Sequence, residues 1–135
     1  MLTIAVDYDS TLCFNNNYGE TIGYNEPLID ILKEMKERGH KLILFTCREG
    51  AWLKEAIRDM RMKGLTFDAI NENLEEEKVK GRKPKFDILI DDRAIPPHSY
   101  LSIDYLEKYA EEIKKGNTFK SKSDLKRIQI QKGKK

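Results

Sequence analysis

The sequence predicts an α/β fold of the Rossmann-like, three-layer α/β/α type, built on a central, mostly parallel sheet. Three observations carry that expectation. Short, nearly unbroken apolar runs alternate along the chain with longer segments in which apolar residues recur at helical spacing. The helix-length segments between early runs match what right-handed parallel crossovers require. Several runs also end in acids or a hydroxyl, at the sheet edge where open α/β folds bind their ligands.

The elements follow in order. Residues 2–6 form an apolar run read as a buried strand, and it ends in the acid pair of "AVDYDSTL". "EPLIDILKEMKERG" predicts a helix, with Leu28, Ile31, Leu32 and Met35 at helical spacing, Pro27 in its first turn and Gly39 just past its end. "KLILFT" (41–46) suits a central strand. "EGAWLKEAIRDMRMKG" predicts a second helix, with Leu53, Ala56, Ile57 and Met60 inward, Trp52 against the sheet and Gly64 as terminator. "FDAI" (67–70) is a weak strand, "FDILI" (86–90) a stronger one, and a last helix is expected over about 103–115. Two stretches, 13–25 and 71–85, read as loops, and the second is longer than an ordinary connection.

Composition bounds the function classes. A chain of 135 residues suits one compact domain. No apolar run reaches the roughly 18 residues of a membrane helix, and the opening "MLTIAVDYD" reads as a strand, not a signal peptide. The two cysteines, Cys13 and Cys47, make no disulfide framework, so a cytoplasmic setting is expected. Charge is uneven. Residues 114–135 hold nine Lys/Arg against Asp124, a net +8, so residues 1–113 carry −6 of the chain's overall +2. Such a tail is either a solvated terminus or a contact for nucleic acid, although no aromatic stacking pattern accompanies it.

The strand ends hold the chemistry. The first offers Asp7 and Asp9, the second Thr46, and the last Asp91 and Asp92, with Lys83 and Lys85 just before it. Four carboxylates in one place repel unless a divalent cation sits among them, and oxygen ligands without a nearby histidine suit Mg²⁺ rather than zinc. The hydroxyl and ammonium suit a phosphoryl group, whose charge spreads over three oxygens. His40 and His98 have no partner pattern and read as surface or packing residues, Arg93 as structural. Cys13 and Cys47 flank the site without the base and electropositive niche that a thiol nucleophile needs.

The ordered set Asp7-Tyr8-Asp9-Ser10-Thr11, Thr46, Lys83 and Asp91-Asp92 resembles the four motifs of the haloacid dehalogenase superfamily of phosphohydrolases. It is most similar to small, capless bacterial and phage-type members through "TCREG" (46–50) and "RKPKFDILIDDR" (82–93). The resemblance covers residues 1–119 and leaves 120–135 as a basic C-terminal tail. It implies that Asp7 is the nucleophile of an aspartyl-phosphate pathway and Asp9 the general acid and base. A nearby carboxylate is expected to raise the Asp9 pKa. Thr46 and Lys83 would bind the phosphoryl oxygens, with Lys85 the alternative lysine. Mg²⁺ would sit on the Asp7 carboxylate, the Asp9 carbonyl and Asp91, with Asp92 direct or through water. Arg48 and Asn15 are candidate substrate contacts. The superfamily often has Gly after its second aspartate, where this chain has Ser10.

Thirty-six residues separate Asp9 from Thr46, and 36 separate Thr46 from Lys83, too few in either gap for a folded cap. The expected function is therefore an open-site, Mg²⁺-dependent phosphomonoesterase acting on a phosphorylated small molecule, with the oligomeric state open. Two alternatives accompany it. One is a nucleic-acid-associated protein, or a phosphatase of nucleic-acid ends recruited by the tail. The other is a phospho-receiver-like signalling module, although its phosphorylated aspartate would end a middle strand, where this chain has Thr46.

Overall fold

In the first strand, β1 (Thr3–Val6), side chains alternate between two buried faces. Ile4 and Val6 point to one side and Ala5 to the other. The computed structural model describes residues 1–77, 81–94 and 102–115. The chain divides into two compact units, Met1–Asp91 and Asp92–Lys135.

In the first unit β1 is followed by β2 (Cys13–Asn15), β3 (Thr21–Tyr24), α1 (Glu26–Glu37), β4 (Lys41–Leu44), α2 (Gly50–Met62), β5 (Ala69–Ile70) and β6 (Ile88–Ile90). Four strands form a parallel sheet in the order β5-β4-β1-β6. This is the predicted Rossmann-like α/β class. Among the described residues no cap domain appears in either long gap between motifs.

α1 begins, and both helices end, as their sequences dictate. The Asn25 side chain accepts a hydrogen bond from the Leu28 N–H and caps α1, with Pro27 in its first turn. Gly39 (φ +91°) and Gly64 (φ +87°) lie just past the two helix ends in the left-handed conformation that glycine adopts without a Cβ penalty. The two crossovers have the same hand, so α1 and α2 cover the same sheet face. Ile29 and Leu32 of α1 pack there with Ala56 and Met60 of α2, against Ile4, Val6, Leu42 and Leu44. The opposite face is a smaller cluster of Ala5, Ile43, Ala69 and Leu74 with Phe45, Phe86 and Leu89. Leu74 and Phe86 come from the long 71–87 connection between β5 and β6, which carries no helix or strand among its described residues.

Several expectations are corrected. Residues 13–25 are not simply a loop, because β2 and β3 pair as an antiparallel hairpin with a bulge at Phe14/Asn15. Ile31 is exposed and Ile29 takes its place in the core, since the inward stripe of α1 runs through 28, 29, 32 and 35. The strands are shorter than their apolar runs. Each "FD" dipeptide lies before its strand, and its aspartate caps the start of a neighbour. Asp68 accepts from the Leu42 N–H and Asp87 from the Thr3 N–H, both at 2.8 Å. These carboxylates satisfy strand-end donors that would otherwise face the core rim unpaired.

In the second unit α3 (Ile103–Lys114) starts at Ser102, whose hydroxyl accepts from the Tyr105 N–H. Tyr109 stacks on Tyr105 and donates its hydroxyl to the Ala94 carbonyl at 3.0 Å. The expected boundary at 119/120, the basic tail and His98 lie outside the described residues. Among the described residues, no helix is long and apolar enough to cross a membrane.

Candidate active site

The strand order decides where a ligand can bind. From β1 the chain moves outward through β4 to β5, then returns to the other side of β1 as β6. The order of the sheet reverses between β1 and β6, and the crevice beyond their C-terminal ends is the binding position of open α/β sheets. Asp7 directly follows β1 and Asp91 directly follows β6. The Asp7 N–H donates to the Ile90 carbonyl at 2.9 Å, which carries the ladder to the strand tips. A carboxylate oxygen of Asp7 and one of Asp91 lie within 4.8 Å of each other. Asp92 follows at once and is the first residue of the second unit.

After Asp7 the chain turns sharply. The Tyr8 carbonyl accepts from the N–H groups of Thr11, Leu12 and Cys13 at 3.1, 2.8 and 3.2 Å. Ser10 within this turn has φ +66°, a conformation that L side chains adopt at a steric cost. That angle is the physical reason a glycine is expected here. The Thr11 hydroxyl donates to Asp7 Oδ2 at 3.1 Å and orients the carboxylate. Asn25 binds the far end of the turn, donating its side-chain amide to the Thr11 carbonyl and its N–H to the Leu12 carbonyl.

Asp9 is held by the side chains of Arg48 and Asn15. Arg48 Nε donates to Asp9 Oδ2 at 3.0 Å, and Arg48 Nη2 donates to Oδ1 at 2.7 Å. Asn15 Nδ2 donates to Oδ1 at 2.8 Å, while Asn15 Oδ1 accepts from the Thr21 hydroxyl across the hairpin. The Arg48 guanidinium lies between the rings of Tyr8 and Trp52, 4.6 and 4.7 Å from their centroids. It is only 2% exposed. Both candidate substrate contacts, Arg48 and Asn15, are thus engaged with Asp9. Trp52, expected against the sheet, is half-exposed and covers Arg48 instead.

The electrostatics of Asp9 run opposite to the sequence expectation. Burial pushes its carboxyl up, but hydrogen bonds from Arg48 and Asn15 and the Arg48 charge outweigh burial and hold it below the ordinary aspartate value. The nearest strong charge is a cation, so the predicted rise is replaced by a fall. Cys13 is buried beside this pair. Burial first, then the Asp9 charge, pushes its thiol up to about 12, which leaves no thiolate for nucleophilic chemistry near neutrality.

Thr46 lies just beyond β4, and its hydroxyl accepts from the Arg48 N–H at 3.2 Å. Its main chain is bound twice by the side chain of Asn71, a residue that the sequence motifs do not mark. Lys83 is exposed on the segment leading to β6. Lys85 Nζ faces Glu77 at 3.9 Å, and its N–H donates to Asn73 Oδ1. His40 is structural, its Nδ1 accepting from the Leu2 N–H at 2.9 Å.

A solved structure of a conserved protein from Bacteroides thetaiotaomicron superposes on this chain with a TM-score of 0.61 and 37% identity, over 87% of this chain and 93% of that one. The chain belongs to the same family as that protein. No family model matches the sequence, and a search of curated proteins finds no match. The likeness extends over nearly the whole of both chains, so the Rossmann-like α/β architecture is the family's own.

Proposed function

We propose that this chain is a Mg²⁺-dependent phosphomonoesterase that works through an aspartyl-phosphate on Asp7. The observation that carries the proposal is the pair of carboxylates, Asp7 and Asp91, set within 4.8 Å at the two strand tips of the switch point. The donor set fits Mg²⁺. It is all oxygen, and two carboxylates this close are stabilised by a cation between them. Asp7, Asp91 and the Asp9 carbonyl would hold the ion, with Asp92 next in the chain. When bound, Mg²⁺ neutralises charge on the phosphoryl oxygens and on Asp7.

The residues divide the work. Thr11 orients the Asp7 carboxylate, which attacks phosphorus as the ester P–O bond breaks. Thr46 and Lys83 bind the phosphoryl oxygens, a role for which Lys83 is better placed than Lys85, whose ammonium faces Glu77. In the second step water attacks phosphorus, Asp9 takes its proton, and the Asp7–phosphorus bond breaks. Arg48 and Asn15 aim Asp9 and keep it in the ionised form that this step uses. The proton that Asp9 takes from water would pass to the leaving oxygen in the first step of the next turnover, which returns Asp9 to the ionised form.

The test is phosphate release from an aryl phosphate by the full chain with Mg²⁺. Activity is expected to vanish with a chelator and to fall by at least about 10³-fold in Asp7→Asn, the scale on which removing a covalent nucleophile acts. Activity that survives Asp7→Asn overturns the assignment of the nucleophile.

A further inference from the structure

We propose that Asn71 is a positioning residue that holds Thr46 in the geometry of a strand after the strand itself has ended. The inference rests on the reading of Thr46 as a phosphoryl ligand and deepens it.

The last ladder bond between β4 and β5 runs from the Asn71 N–H to the Leu44 carbonyl at 2.8 Å. At Asn71 the backbone leaves the sheet with φ +54°, a left-handed conformation rare for residues other than glycine but tolerated by asparagine. From here the main chain of β5 offers Thr46 no further ladder partner. The side chain supplies one. Asn71 Oδ1 accepts from the Thr46 N–H at 2.8 Å, and Asn71 Nδ2 donates to the Thr46 carbonyl at 2.9 Å.

A side-chain amide presents the same acceptor and donor as a peptide group, so Asn71 reproduces one more rung of the sheet. Only asparagine combines this donor–acceptor pair with a short side chain and tolerance of positive φ. Glycine would relieve the backbone but lacks the amide. Aspartate keeps the acceptor but turns the donor into an oxygen facing the Thr46 carbonyl. Strain retained at a strand tip, beside groups that converge on one crevice, is the pattern of a position that the site over-determines.

The bonds continue inward from Thr46. Its hydroxyl accepts from the Arg48 N–H, and the Arg48 guanidinium grips Asp9. One polar chain therefore ties the tips of β5, β4 and β1, and Asn71 is its outer anchor. Thr46 is held by both main-chain atoms on one side and by its hydroxyl on the other.

The test uses the full chain and two readouts, amide hydrogen exchange at Thr46 and binding of inorganic phosphate with Mg²⁺ by calorimetry. In Asn71→Gly, Thr46 exchange is expected to rise at least tenfold and phosphate affinity to fall at least fivefold. In Asn71→Asp, which keeps the acceptor for the Thr46 N–H, exchange is expected to stay closer to the parent. Thr46→Val is the control for the phosphate reading. Unchanged Thr46 exchange in Asn71→Gly overturns the clamp. Faster exchange with phosphate binding intact in Asn71→Gly but weakened in Thr46→Val overturns its functional role and leaves the phosphate site standing. Phosphate binding unmoved by Thr46→Val overturns the reading of Thr46 itself, and with it the purpose of the clamp.

Discussion

Replacing Arg48 with methionine removes a charge that the fold has buried almost completely while keeping an unbranched apolar side chain in its place. Breaking a fully buried ion pair from one side costs about 3–5 kcal/mol, because the remaining charge is left without a partner. Here the Asp9 side chain keeps 29% of its exposure, so water recovers part of that loss. The two flanking rings add about 0.5–1 kcal/mol each through the cation, and a methionine sulfur between them restores a similar amount. The expected net destabilisation is about 2–3 kcal/mol at pH 7.

Urea unfolding of the parent, Arg48→Met, Asp9→Asn and the double variant isolates the pair from the packing. A coupling of about 1.5–2 kcal/mol is expected. The sign with pH follows from the direction of the Asp9 shift. Its folded carboxyl lies below the unfolded value, so the contribution is present above the unfolded pKa of about 3.9. It is lost as pH falls through the lower folded value, and the parent and Arg48→Met should converge there. A coupling below about 0.5 kcal/mol at pH 7, or a gap that widens in acid, refutes the reasoning.

Two further predictions concern neighbouring positions. Ser10→Gly removes the penalty of a side chain at φ +66° but adds freedom to the unfolded chain, so a net gain of about 0–1 kcal/mol is expected from thermal unfolding. A loss above about 1 kcal/mol would mean that the Ser10 side chain makes a needed contact. With an aromatic disulfide reagent at pH 8, the exposed Cys47 should react quickly, while the buried Cys13 should react only after unfolding. Two thiols titrating at the same fast rate in the native protein would contradict the burial of Cys13.

How much of the site was legible depends on the residue. Asp7, Asp9, Thr46 and Asp91 were readable because each ends an apolar run, and a parallel sheet gathers such ends at one edge. Arg48 was visible as a charged residue in "TCREG", but its partner lies 39 positions away, and only the sheet brings the two together. The rise expected for the Asp9 pKa failed for the same reason, since it counted the carboxylate nearby in sequence and not the guanidinium nearby in space. Asn71 carried no signal beyond its place after a weak strand. Its role depends on a positive φ and on the register of β5 against β4.

The sequence by itself determined the alternation of strands and helices, the helix ends marked by Pro27, Gly39 and Gly64, and the acids at the strand ends. These follow from local periodicity and from backbone preferences that a residue expresses wherever it sits. Only the tertiary structure decided that β6 returns beside β1, which sets Asp91 against Asp7. It also decided that the segment after Cys13 folds back as a hairpin carrying Asn15 to Asp9, and that Trp52 covers Arg48 rather than the sheet. Pairings of this kind join residues far apart in the chain, and their energy exists only once the sheet has closed the distance between them.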